Sequence, residues 1–171
     1  MKLNSMKDLY VDVLKDLYSA ENQIIKALPK LAKAAGSPEL RSAFETHLRE
    51  TQTQVARLEE IAGKIDISLK GKRCKGMEGV LEEGAELLEE DGDDAVLDAA
   101  FIAGAQKVEH YEIATYGCAR TYAELLGDSR AAELLQESLD EEMATDQKLT
   151  DLAERIINPN AVESQSDERL M

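Results

Sequence analysis

Residues 102–119 read IAGAQKVEHYEIATYGCA. Ile102, Ala105, Tyr116 and Ala119 follow steps of three and four residues, the spacing that gathers side chains on one face of an α-helix, and Glu109 and Glu112 lie on the same line. An apolar helix face with two acids at its centre predicts a helix buried against its neighbours with carboxylates turned into the core.

Working outward, this helix spans about 94–126 and ends at Gly127, which suits a left-handed C-cap. Asp128 or Ser129 can cap the next helix, which runs to about 157 through Leu135, Leu139, Leu149, Leu152 and Ile156. The N-terminal half repeats the arrangement. One helix over 6–35 carries Leu14, Leu17, Ile24, Leu28 and Leu31, and a second over 38–62 carries Leu40, Phe44, Leu48, Val55, Leu58 and Ile61. Gly36-Ser37-Pro38 separates them, with Ser37 as N-cap and Pro38 in the first helical position. Between the pairs lie a basic irregular stretch, 63–75, and a short amphipathic helix, 77–89. Two antiparallel helix pairs joined by a long connection predict an all-α, ferritin-like four-helix bundle with a long crossover carrying a short extra helix. The bundle would occupy 1–157, and the polar residues 158–171 a flexible C-terminal tail.

The composition agrees. Of 171 residues 43% are hydrophobic, enough for one core, and only 4% are aromatic, which is thin for an all-β interior. With 35 acidic against 20 basic residues the net charge is -15, which argues against nucleic acid or an anionic membrane as partner. The N-terminal residues contain neither a signal peptide nor a membrane span, so a cytoplasmic protein with reduced thiols is expected. Cys118 reads as a small core filler and Cys74, in its basic stretch, as an exposed thiol.

Every long helix breaks its apolar line with acid. Glu21 interrupts the first. His47 lies on the line of the second, with Glu50 on its flank. Glu109 and Glu112 interrupt the third, and Glu142 and Asp146 the fourth, with Glu141 beside them. At a rise of about 1.5 Å per residue, Glu21 and Glu50 lie at matching depths from the Gly36 turn, and Glu112, Glu141 and Glu142 at matching depths from Gly127. A faint internal repeat, offset by 91 residues, places Glu50 on Glu141, and one offset by 88 places Glu21 on Glu109. Periodicity favours Glu142 on the fourth helix and the repeat favours Glu141; both remain candidates. Buried carboxylates at this density must either be protonated or hold a cation. A carboxylate set with one imidazole suits iron or manganese. His110 points about 100° away from Glu109 and reads as an outer or surface residue, while Tyr116 reads as a core tyrosine.

Ser19-Ala20-Glu21, Phe44-Glu45-Thr46-His47-Leu48-Arg49-Glu50-Thr51, Gln106 to Ala114 and Glu141 to Asp146 together resemble the YciE/YciF family, a ferritin-like family of bacterial proteins linked to stress. The likeness covers about 6–157. It implies a four-helix bundle, a dinuclear iron centre of two irons per chain and a homodimer. The wider di-iron class takes Glu from one helix and Glu-x-x-His from the next, twice over. Glu21, Glu50, Glu109 and Glu141 resemble its four carboxylates and Glu112 an additional acid, while Thr53 and Ala144 stand where histidines would be. His47 and Asp146 are the substitutes on offer, Asp146 as ligand or as outer hydrogen-bond partner. In this picture Glu50 and Glu141 or Glu142 bridge the metals, no catalytic residue is separate from the ligands, and Fe(II) is oxidised by dioxygen or peroxide. A stress-induced binding or scaffold protein with a structural metal, and a manganese catalase-like activity, are the alternatives.

Overall fold

The computed structural model describes residues 3–168, with side chains through residue 163, and is helical throughout its elements. The helices are α1 (Met6–Ala34), α2 (Pro38–Lys64), α3 (Lys75–Leu87), α4 (Asp94–Leu125), α5 (Ser129–Leu152) and α6 (Asn158–Glu168), and a π turn (Ala153–Ile157) joins the last two. Helix starts follow local side-chain chemistry. Ser5, Ser37, Cys74, Asp93 and Asp128 each accept a backbone N–H of the first turn that follows. Pro38 opens α2, and Gly127, at φ 77°, closes α4 in the left-handed conformation.

α1 packs on α2 and α4 on α5, and the pairs meet through α1 with α4 and α2 with α5. Two polar contacts mark opposite ends of this four-helix bundle. At one end the buried Asp98 carboxylate of α4 accepts the N–H groups of Gly36 (2.9 Å) and Ser37 (2.7 Å), fixing the α1–α2 turn. At the other, Lys64 at the end of α2 pairs with Asp128 at 2.6 Å, just before α5. The crossover therefore climbs the full length of the bundle, the ferritin-like connectivity. It carries α3, which lies along α4 and α1 with Met77 fully buried. Gly76 permits this approach, because a Cβ there would come 2.7 Å from Cε2 of Tyr111.

The core falls into two apolar clusters. One, around Ile24, Leu28, Phe44, Ile102 and Leu149, lies toward the Gly36 end. The other, around Leu14, Leu17, Leu58, Tyr116 and Leu135, lies toward the Gly127 end. A layer of buried polar side chains separates them.

Three sequence expectations need correction. The helix does not stop before Asn158: the π turn redirects the chain, the Asn158 N–H bonds to the Ala153 carbonyl, and Ile157 is buried, so residues 158–168 continue as α6 against α4 where a flexible tail is expected. Residues 169–171 of that expected tail lie outside the described residues. The cysteines exchange roles. Cys74 is buried because it caps α3 and packs its Sγ 2.9 Å from the Tyr111 hydroxyl and 3.1 Å from Asp16, and Cys118 is exposed because its neighbour Ala119 takes the core-facing position.

Removing the Asp98 carboxylate leaves two backbone donors of the α1–α2 turn without their acceptor. Asp98→Ala is expected to lower the unfolding free energy by on the order of 2 kcal/mol, read from the midpoint shift in urea at unchanged slope.

Candidate metal centre

Four helices contribute to the polar layer. α1 supplies Glu21, α2 His47, Thr51 and Gln54, α4 Glu109 and Glu112, and α5 Ser138 and Glu142, all of them buried. The α2 contribution follows from a line of three- and four-residue steps, Phe44, His47, Thr51, Gln54, Leu58 and Ile61, so a polar turn and a half replaces apolar residues on the inward face. Ligand atoms of His47, Glu109, Glu112 and Glu142 all lie within 4.8 Å of one another. His47 Nε2 approaches Glu109 Oε1 at 3.2 Å and Glu142 Oε2 at 4.0 Å.

These side chains are left largely without hydrogen-bond partners. Both His47 ring nitrogens, both Glu112 oxygens, and one oxygen each of Glu21, Glu109 and Glu142 are buried and unpaired; the 3.2 Å approach of His47 to Glu109 is not aligned as a hydrogen bond. The other oxygens of Glu21 and Glu142 are held from outside the cluster. Tyr116 donates its hydroxyl to Glu21 Oε1, and the buried Gln54 amide donates to Glu142 Oε1. Thr51 is turned away, donating to the His47 carbonyl at 2.9 Å.

Without a cation the site favours protons. Burial, followed by the neighbouring Glu142 charge, raises the carboxyls of Glu21 and Glu109 well above the ordinary carboxylate range, and burial followed by the Glu21 charge does the same to Glu112. Burial and the Glu21 charge likewise push the Tyr116 hydroxyl upward. A site of this kind fits a metal ion on its donor set: inward oxygens and nitrogens with no protein partner, from carboxylates and one imidazole, in a position where an unpaired charge is costly.

The other sequence candidates lie around this group rather than in it. Glu21 is fully buried beside it, coupled by charge to Glu112 and Glu142. Glu50 sits at the rim, its side chain 37% exposed and its Oε2 3.9 Å from His47 Nδ1, and the nearby His47 ring holds its carboxyl below the ordinary range. Of the two α5 alternatives, Glu142 points inward. Glu141 is turned outward, gripped by the two terminal guanidinium nitrogens of Arg57 at 2.6 and 2.7 Å. Asp146 also faces outward, accepting from Gln106 at 3.1 Å and lying 3.5 Å from Nε2 of the exposed His110. Gln54 and Arg57 are the residues that the search for acidic interruptions passes over. Gln54 is visible in retrospect on the α2 line through His47 and Leu58, whereas the grip of Arg57 on Glu141 depends on which faces of α2 and α5 meet.

A model of a family described as a domain of unknown function (DUF892) matches residues 5–162. Protein YciF of Escherichia coli K12 is 46% identical over 162 residues, which cover 94% of this chain and 98% of that protein. The chain belongs to the YciE/YciF family. The crystal structure of the E. coli stress protein YciF superposes with a TM-score of 0.87 at 47% identity, covering 91% of this chain and 98% of that one. YcfI of Rhodopseudomonas palustris, for which its description suggests a structural role, matches with a TM-score of 0.84 at 41% identity over 87% of this chain and 95% of its own. A Xanthomonas campestris protein shares the fold at a TM-score of 0.75 and 20% identity, covering 94% of this chain and 99% of its own. The YciE/YciF family is thus one of helical bundles. In this member a buried His/Glu group that could hold a metal ion sits at mid-bundle, and no helix among the described residues is long and apolar enough to cross a membrane.

The raised carboxyls set the pH response of metal-free protein. The folded state keeps protons on Glu21, Glu109 and Glu112 that the unfolded chain releases near the ordinary value of 4.5, so stability falls as pH rises above that value. Thermal melts of chelator-treated protein between about pH 5 and 8 should show a falling midpoint, with a shallower fall in Glu112→Gln. A midpoint that rises over this range would mean that the acids are ionised and compensated without metal.

Proposed function

We propose that the cluster is a dinuclear carboxylate site that binds Fe(II) and supports its oxidation by dioxygen or a peroxide as part of a stress response. The observation that carries this reading is the set of buried, unpartnered ligand atoms on Glu21, His47, Glu109, Glu112 and Glu142, supplied by all four long helices. His47, Glu109, Glu112 and Glu142 would hold one ion. Glu21, coupled by charge to Glu142 and Glu112, would hold the second, and Glu50 is the rim carboxylate best placed to join. Iron bound there supplies one-electron chemistry, which carboxylate oxygens favour by stabilising the higher oxidation state.

The protein's own contribution is positional and protonic. Glu21, Glu109 and Glu112 exchange their protons for the cation as it binds, so uptake releases acid. Gln54 clamps one oxygen of Glu142 and Tyr116 one oxygen of Glu21, which leaves the other oxygen of each free to bind metal. Apolar clusters on both sides keep bulk water from the layer. The family likeness further supports placing one such site in each subunit of a homodimer, for which light scattering is expected to read twice the chain mass of 18.9 kDa.

A second reading keeps the metal and drops the turnover: a binding or scaffold protein in which the ion neutralises the acid layer. The structural role suggested for YcfI favours it, as does the retention of Glu141 by Arg57 outside the site. Manganese in the same ligands, with peroxide removal, is the third outcome. Metal analysis of tag-free protein, followed by Fe(II) titration in air with absorbance detection, separates the three. The proposal expects about two irons per chain and oxidation faster than in buffer, both lost in Glu109→Ala and Glu142→Ala. Metal uptake that raises the melting temperature without oxidation supports the scaffold, and manganese with oxygen release from peroxide supports the catalase-like activity.

A further inference from the structure

A cavity of about 100 Å³ opens beside the acid layer on its Gly36 side. Its walls are apolar: Ile24 and Leu28 of α1, Phe44 of α2, Val108 of α4 and Leu149 of α5. Its inner end is not. His47 and Glu109 line it there, only 3% and 1% exposed, and both nitrogens of His47 and the Oε2 of Glu109 lack a hydrogen-bond partner. Glu50 and the exposed Lys148 stand at the rim. The site thus has an apolar barrel, an acceptor-rich floor and a partly open mouth.

We propose that this cavity binds a small neutral organic molecule whose body is a short alkyl group of a few carbons and whose head is a hydroxyl or hydroperoxyl group directed at His47 and Glu109. The size is set by the volume, since a dry protein cavity of about 150 Å³ lined by Leu, Ile and Phe accommodates benzene and this one is smaller. The head is a hydroxyl, which both donates and accepts, because the His47 nitrogens and the Glu109 oxygen are left without a partner, and water is a poor occupant of an apolar barrel. It is uncharged because an anion or a cation would each forgo its hydration against apolar walls. Burial of the apolar body supplies the affinity and the orphan polar atoms supply the orientation. These properties belong to the chain's own side chains, so the site stands or falls independently of iron oxidation.

The test uses the metal-free full chain, with 1-propanol as the neutral probe and propionate as its anionic counterpart, followed by calorimetry and ligand-observed NMR. Saturable one-site binding of 1-propanol is expected, with propionate at least about tenfold weaker. Ala105→Leu and Ala27→Leu each place bulk into the cavity, and either is expected to weaken 1-propanol about tenfold or more while circular dichroism stays unchanged. Ala27, only half-buried, keeps the test decisive should Ala105→Leu fail to fold. Non-saturable binding, or wild-type affinity in a folded filled variant, overturns the site, and propionate binding as tightly as 1-propanol overturns the neutral head group. Iron content measured on the same preparations reports separately on the metal centre.

Discussion

The constraint on which this protein turns is the burial of like charge. Glu21, Glu109, Glu112 and Glu142 meet between two apolar clusters, away from water, with one imidazole among them. Among the described residues no arginine or lysine forms an ion pair with this group: Arg57, which borders the layer, is committed to Glu141 on the outside. A folded chain accepts such a layer only by protonating it or by binding a cation, and each choice carries a different stability profile with pH. The rest of the architecture serves to bring four helices level at this depth. Asp98 ties the α1–α2 turn to α4 at one end, and Lys64 with Asp128 ties α2 to α5 at the other, so the registers that align the acids are fixed at both ends of the bundle.

Most of the fold was legible because it is written in periodicity. Steps of three and four residues, Ser37-Pro38 and Gly127 located the four long helices, and a thirty-residue connection forced the ferritin-like topology. What escaped the pattern was decided by tertiary contact. The π turn at Ala153–Ile157 carries the chain past Pro159 into another helix, and nothing in local propensity announces it. Cys74 looked exposed because its surroundings are basic, yet Tyr111 and Asp16 enclose it.

The site was legible in its central residues. Glu109, Glu112 and Glu21 interrupt their helices' apolar lines, and His47 sits between Phe44 and the inward-facing Thr51. The internal repeat was informative in another way. It matches Glu50 with Glu141, and the structure places both on helix flanks, one at the rim and one against Arg57. The inward positions one residue on, Thr51 and Glu142, are equivalent in place but not in chemistry. The two halves of the bundle therefore share geometry and differ in ligand content, which leaves α2 to contribute an imidazole, a hydroxyl and an amide where α5 contributes a hydroxyl and a carboxylate.

This asymmetry gives the two faces of the layer different characters: toward Gly127 lies Tyr116 with its hydroxyl on Glu21, and toward Gly36 the apolar cavity at His47. The most direct test of the central claim is anomalous diffraction at the iron edge from crystals prepared anaerobically with Fe(II). The account predicts iron density enclosed by His47, Glu109, Glu112 and Glu142, with a second peak toward Glu21. Crystals without anomalous density in the layer, in which the four acids bond to one another as protonated carboxyls, would contradict it.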